Sequence, residues 1–163
     1  MFEIWDKNQI RNLTEDAKQQ WFDVLNFELE ADREISLSDP QLKEKQAEIK
    51  MDYLRYLESC PNLEGFHKYY IYRSDNKIVC VGRIQVNHDQ YYLEGLQTHR
   101  DYYQKGYAKA LIQAMMTELE KDHIRSIHSE VRVWNNPSNA LHQKLGFVLY
   151  DQVQNNNLYR LTW

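Results

Sequence analysis

The sequence predicts an α/β (α+β) fold, in which a mixed, mostly antiparallel central sheet is flanked by about four helices. Two observations support this prediction. Three β-rich runs follow one another in the middle of the chain with turn residues between them, which is typical of an antiparallel meander. Apolar residues at helical spacing mark segments before and after these runs. The predicted order is β-α-α-β-β-β-α-β-α-β-β.

The N-terminal elements are predicted from alternation and from helix-start signals. Residues 1–6 alternate like a short strand, and either Asn12 or Thr14 can cap the first helix. Asp39 followed by Pro40 is typical of the N-cap and first residue of a second helix. The first helix is predicted at residues 13–30, a loop at 31–39 and the second helix from there to about residue 60. The residues that these helices are expected to bury are Trp21, Val24, Leu25, Leu29, Ile49, Tyr53, Tyr56 and Leu57.

Turn residues divide the rest of the chain into further elements. We expect strands at residues 69–72, 78–86 and 91–98, a helix at 107–121, a strand at 127–133, a helix at 137–144 and strands at 147–150 and 158–163. Gly146 ends the last helix, and the three asparagines at 155–157 separate the closing strands. The final strand is expected to be exposed, so that it can pair with a second copy in a homodimer.

The composition is that of one globular domain, residues 1–163. Of its 163 residues, 42% are hydrophobic and 27% are charged, and the net charge of −4 argues against a nucleic-acid partner. No apolar run approaches the roughly 20 residues that span a bilayer, and the start lacks the features of a signal peptide. The two cysteines, Cys60 and Cys80, are expected as reduced thiols rather than a disulfide, and no metal spacing is found. We therefore expect a cytoplasmic protein without membrane or metal.

The strand–loop–helix around Gly106 is the strongest indication of function. A helix N-terminus presents unpaired N–H groups, and a glycine lets the backbone approach a phosphate closely. The N–H groups from Gln104 to Lys109 can therefore form a phosphate-binding nest, with added charge from Lys105 and Lys109. In the alternative, Gly106 is only a turn and the lysines are solvated. A Walker-type loop is excluded because Gly106 is followed by Tyr-Ala, and a dinucleotide fingerprint needs more glycines.

Two segments resemble motifs of the GCN5-related N-acetyltransferase (GNAT) family. Residues 103–108, Tyr-Gln-Lys-Gly-Tyr-Ala, resemble the Arg/Gln-x-x-Gly-x-Gly/Ala motif, with Tyr103 at the Arg/Gln position. Residues 135–147 resemble Asn-x-x-Ala/Ser followed by Leu-Tyr-x-Lys-Leu-Gly-Phe, with His142 at the Tyr position. The resemblance extends from about residue 79 to residue 147 and is weak over the N-terminal helices.

The resemblance implies acetyl-CoA as co-substrate and direct acetyl transfer to a primary amine in a ternary complex. In this family a backbone N–H of the strand before the loop polarises the thioester carbonyl. The residues that the resemblance assigns to acetyl-CoA are Leu96, Gln97, Thr98, Gln104, Lys105, Gly106, Tyr107, Ala108, Lys109, Asn135 and Ser138.

Glu94 is the predicted base for the amine. A lysine-like amine has a pKa of ~10.4, so a carboxylate near the thioester can attract the cation and take its proton. Glu94 lies two residues before Leu96 in an aromatic strand, where we expect it to be buried, and Leu-Glu-Gly also resembles the aminoglycoside-type branch of the family. Glu130 on the next strand is the second candidate. In the alternative, Glu94 faces solvent or is paired structurally.

His142 and Asn135 complete the predicted catalytic set. His142 can protonate the leaving thiolate in place of the usual tyrosine, or it only packs near the cofactor. Asn135 can hydrogen-bond the pantetheine arm or orient a water, or it only forms a turn.

The sequence therefore predicts an N-acetyltransferase that acts on a small-molecule amine, such as a polyamine, a sugar amine or an amino acid. A protein N-terminus or lysine is the alternative acceptor. The competing hypothesis, favoured by Tyr103 and His142, is a module that binds CoA without turnover and acts as a sensor or interaction protein.

Overall fold

The computed structural model describes residues 1–25 and 39–163, which contain seven β-strands and five α-helices. In chain order these are β1 (Phe2–Trp5), α1 (Lys7–Arg11), α2 (Glu15–Val24), α3 (Asp39–Ser59), β2 (Phe66–Ser74), β3 (Lys77–Asn87), β4 (Gln90–Thr98), α4 (Tyr107–Lys121), β5 (Ser126–Arg132), α5 (Asn136–Lys144), β6 (Val148–Val153) and β7 (Asn156–Thr162). Short 3-10 turns follow α3 and β4. No helix in the described ranges is long and apolar enough to cross a membrane.

All seven strands form one sheet in the order β1-β2-β3-β4-β5-β7-β6. β4 and β5 are parallel, and every other neighbouring pair is antiparallel, which confirms the predicted mixed sheet. The prediction of an exposed final strand is wrong, because β7 lies between β5 and β6 and is paired on both sides. A homodimer therefore stays a prediction, without β7 as its interface.

The N-terminal helices differ most from the sequence prediction. α1 was not predicted, although Asp6 and Gln9 form a capping box: the Asp6 carboxylate accepts from the Gln9 N–H, and Gln9 Oε1 accepts from the Asp6 N–H. Thr14 is the N-cap of α2. That helix ends at Val24 because Leu25 is extended, so the prediction of a helical Leu25 is wrong. Residue Leu29 and the loop at 31–38 lie outside the described residues.

The two faces of the sheet carry different helices. On the first face, α4 packs Leu111, Ile112 and Met115 onto β2, β3 and β4, and α5 packs beside β5 and β6. On the second face, α1, α2 and α3 form a separate core against β1, β2 and β3, with Trp21 and Leu57 at its centre. Strand residues alternate between these faces, so neighbours along β4 serve different sides of the sheet.

Candidate active site

β4 carries a β-bulge in its C-terminal half. The register shifts opposite Gly82, which faces both Gly95 and Leu96, and Gly95 has a φ of 59°. This left-handed conformation favours glycine, which explains the residue type at the bulge. A bulge leaves a backbone group outside the regular ladder, so residues 96–98 can offer an N–H donor to a ligand.

The strands β4 and β5 are joined at one position and separate beyond it. Tyr92 of β4 pairs with His128 of β5, and no further register pair between these strands occurs in the described residues. The gap lies beyond this pair, between residues 93–98 of β4 and residues 129–132 of β5, which have no register partner in each other. The bulge at Gly95 and Leu96 lies on one side of this gap.

The N-terminus of α4 follows directly and has no side-chain cap. Gly106 is the N-cap, with a φ of 85°, and Gln104 also has a positive φ of 59°. The first helical hydrogen bond joins the Ala110 N–H to Gly106 O, so the N–H groups of residues 107–109 precede it. A Cβ atom at Gly106 would meet no atom within 4 Å. This arrangement fits a phosphate, since donors face open space at the positive end of a helix dipole.

Side chains around this loop hold it in place rather than enter the open space. The Lys105 ammonium donates to Asp101 O at 2.8 Å and lies 5.0 Å from the centre of the Tyr102 ring. The Tyr107 hydroxyl donates to Ser74 Oγ at 3.1 Å, which ties α4 to the end of β2. Lys109 is exposed on the first turn of α4.

Asn135 and Ser138 shape the start of α5. Asn135 is the N-cap, and its Oδ1 accepts from the Ser138 N–H at 3.3 Å. The Asn135 Nδ2 group has no hydrogen bond to any residue that the structure describes, so it can donate to a ligand. The Ser138 hydroxyl lies 3.4 Å from His142 Nδ1 and therefore faces the interior of the fold.

His142 is a core residue. It is 3% exposed and packs between the rings of Phe147 and Tyr159. Its Nδ1–H donates to Ser138 O at 2.8 Å, so Nε2 accepts from Ser129 Oγ at 2.9 Å. Burial lowers the pKa of His142, which favours the neutral ring. Its role as the acid stays a prediction, and this geometry favours the packing alternative.

Glu94 lies on the second face and is paired with Arg83. The guanidinium donates from Nε and Nη2 to Glu94 Oε2 at 3.0 and 2.7 Å, and it stacks 4.2 Å from the centre of the Tyr56 ring. The expectation that Glu94 is buried is wrong: its side chain is 41% exposed. Its second oxygen, Oε1, has no hydrogen bond to a described residue. Glu94 can therefore attract a cation, although Arg83 neutralises part of its charge.

Tyr92, His128 and Tyr150 form an aromatic group on the second face, with one residue each from β4, β5 and β6. His128 is 6% exposed, and its ring lies 5.4 Å from the Tyr92 ring and 5.7 Å from the Tyr150 ring. Glu130 is exposed two residues further along β5, on the same face. These residues border the gap between β4 and β5 opposite α4 and α5.

Sequence reasoning missed Arg83, His128 and Tyr150. A signal for Arg83 was present, because a lone charge interrupts the apolar run of β3. No local pattern marks His128 or Tyr150, because their contact joins β5 to β6. In the described residues no group of three or more His, Cys, Asp or Glu side chains is placed to hold a metal ion.

Comparison with known proteins connects this geometry to a family. The model of the acetyltransferase (GNAT) family matches residues 13–147. A comparison with curated proteins gives no match.

Solved structures share the fold over the whole chain. The PaiA N-acetyltransferase of Thermoplasma acidophilum, in complex with coenzyme A, is 16% identical with a TM-score of 0.71, and the match covers 100% of this chain and 99% of that one. The ribosomal-protein-S18-alanine N-acetyltransferase of Escherichia coli is 17% identical with a TM-score of 0.60, over 99% and 94% of the two chains. The N-acetyltransferase PseH of Campylobacter jejuni, in complex with acetyl-CoA, is 15% identical with a TM-score of 0.62, over 99% of each.

Proposed function

The chain belongs to the GNAT family of acetyltransferases, and we propose that it transfers the acetyl group of acetyl-CoA to a primary amine of a small molecule. Transfer is direct, within a ternary complex, and residues 1–163 form one acyl-CoA N-acyltransferase domain. The observation that carries the proposal is the uncapped N-terminus of α4, where a Cβ atom at Gly106 would meet no atom within 4 Å, in a sheet whose β4 carries a bulge and has a single register pair with the parallel β5.

The first face binds acetyl-CoA in this proposal. The N–H groups at residues 104–109 hold the pyrophosphate, since a helix N-terminus and a left-handed turn both suit an anion. The pantetheine arm enters the gap between β4 and β5, and Asn135 Nδ2 donates to it. A backbone N–H within residues 96–98 donates to the thioester carbonyl, where negative charge develops during attack. Ser138 supports this site indirectly, by holding Asn135 and His142.

The second face receives the amine. Glu94 attracts the ammonium group through its free oxygen, and exposed Glu130 adds a second negative charge across the gap. The leaving thiolate needs no strong acid, because a free thiol has a pKa of ~8.5. The attacking nitrogen must lose a proton as the amide forms, and this proton can pass to the leaving thiolate.

A thiol-release assay tests the proposal directly. The protein is mixed with acetyl-CoA and a panel of polyamines, sugar amines, amino acids and a short peptide with a free N-terminal alanine, and calorimetry with CoA runs in parallel. We expect CoA binding and turnover with at least one small amine. CoA binding without turnover on any amine would instead support the module hypothesis. Turnover confined to the peptide would overturn the small-molecule assignment.

A further inference from the structure

His128 occupies a distinctive place on the second face. It is the β5 residue that pairs with Tyr92, so its side chain lies where the gap between β4 and β5 begins. Glu94 follows Tyr92 by two residues and shares its face. The ring of His128 is held between two tyrosine rings and is 6% exposed. A fixed titratable group thus borders the proposed amine site.

The hydrogen bonds of His128 differ from those of His142. Its Nδ1 lies 3.3 Å from the Tyr150 hydroxyl, and Nε2 has no hydrogen bond to any described residue. In His67 the corresponding atom is buried without a partner. Nε2 of His128 is not buried in this way, so solvent reaches it. In the tautomer whose Nδ1–H donates to Tyr150, Nε2 carries a lone pair that can accept a proton.

Burial and the charge of Arg160 favour the neutral form of His128. Burial lowers its pKa, and Arg160, which lies 4.9 Å from the centre of the Tyr150 ring, adds to the lowering. Glu94 on β4 and Glu130 on β5 are the nearby carboxylates on this face. A neutral imidazole is available near pH 7, whereas Glu94 shares an oxygen with Arg83.

We propose that Nε2 of His128 accepts the proton of the amine, and that Tyr150 orients the ring for this step. The inference deepens the proposed function and rests on it. The ammonium group loses one proton to Nε2, directly or through a water, and the free amine then attacks the thioester carbon. The carbon–sulfur bond breaks as the amide forms. A second proton passes from the attacking nitrogen to the thiolate, and the imidazolium releases its proton to solvent.

The test is the pH profile of kcat for His128→Gln against the wild type. Without the base we expect kcat to fall about 100-fold near pH 7, a typical contribution of a general base. The loss should shrink as pH approaches ~10, where a lysine-like amine deprotonates unaided. It should also shrink for an acceptor amine that is already neutral at pH 7. We expect Tyr150→Phe to lower kcat about fivefold, because the ring loses its orienting partner but keeps its base.

Two controls separate the base from a structural role. His67→Gln removes another histidine whose pKa burial lowers, in β2 and packed against Tyr91, and should leave the pH profile unchanged. CoA affinity and melting temperature verify that each variant is folded. A loss that is equal at all pH values and for both kinds of amine would overturn the inference, and so would an unchanged kcat. A wild type that acetylates no amine would overturn the proposed function as well, which distinguishes the two failures.

Discussion

The two faces of the sheet contribute to the site in different ways. On the first face the candidate cradle consists mainly of backbone: the bulge at Gly95, the turn at Gly106 and the first N–H groups of α4, with Asn135 as its side-chain donor. On the second face the candidate acceptor site consists of side chains, with Arg83 from β3, Glu94 from β4 and His128 from β5. Backbone donors present the same chemistry to every acyl-CoA, whereas side chains determine which amine is accepted.

The solved structures named above share the fold at 15–17% identity. A cradle of N–H groups constrains few residue types, chiefly the glycines that adopt a positive φ. An acceptor face made of side chains can change residue by residue while the cradle stays the same. Substitutions on the two faces should therefore have separable effects, on CoA affinity and on amine turnover.

Substitution of Gly106 should have the largest effect. In Gly106→Trp the new side chain enters open space. The free energy of unfolding should therefore fall only by the cost of a non-glycine residue in the left-handed conformation, about 1–2 kcal/mol. The indole then occupies the space above the N–H groups of α4, and we expect CoA affinity to fall at least about 100-fold, or ~3 kcal/mol. Isothermal titration with CoA measures this directly.

The matched control for this variant is Asp89→Trp. Asp89 is exposed, has a φ of 59° and lies in the turn between β3 and β4, at the opposite end of β4 from α4. The Asp89→Trp variant places an indole on a residue with a left-handed backbone, far from the cradle along β4, so its CoA affinity should match that of the wild type. An equal loss of CoA affinity in both variants, or retained CoA binding in Gly106→Trp, would contradict the assignment of the cradle.

The sequence predicted the first face far better than the second. Gly106 and its helix are contiguous, so a short motif reports them, and α4 has the predicted bounds. The Arg83–Glu94 pair depends on the register of β3 against β4, and the His128–Tyr150 contact requires β6 to lie two strands from β5. No local pattern contains that information. His142 is the opposite case, because its place in a motif indicates chemistry, whereas in the structure Ser129 and Ser138 occupy both ring nitrogens.

Glu94→Gln should have an intermediate effect, confined to the amine. If Glu94 attracts the ammonium group while His128 takes its proton, the loss of one charge raises KM for the amine about tenfold, or ~1.4 kcal/mol. CoA affinity should not change, because the bulge backbone is unaltered. Steady-state kinetics with the best amine of the panel gives both parameters.

An effect of Glu94→Gln on kcat rather than on KM would assign the role of base to Glu94 instead of His128. If Glu94→Gln lowers kcat about 100-fold with an unchanged KM, and His128→Gln does not, Glu94 is the base that the sequence predicted. Arg83→Met is the companion variant, since it frees Glu94 from its ion pair but leaves an uncompensated carboxylate beside Tyr56. It should lower KM for a cationic amine, because the full negative charge of Glu94 then faces the acceptor.

His142→Gln should have the smallest effect on catalysis and a measurable one on stability. We expect a loss of about 1 kcal/mol near neutral pH, because Ser129 or Ser138 loses a buried hydrogen-bond partner. Burial lowers the pKa of His142, so the unfolded chain binds more protons just below the ordinary value of 6.5. The stability from this group is therefore present above about pH 6.5 and is lost as pH falls toward the folded pKa.

Urea unfolding at about pH 7.5 and pH 5.5 checks both parts of this prediction, since the two values lie on either side of ~6.5. The wild type should lose more free energy of unfolding between them than His142→Gln, because the glutamine does not titrate and the other acid-sensitive groups are common to both proteins. At the higher pH, kcat should be the same for both. If kcat instead falls tenfold or more while stability and CoA affinity match the wild type, His142 is the acid that protonates the thiolate. The first face would then contribute a side chain to the chemistry, and its description as mainly a backbone cradle would be wrong.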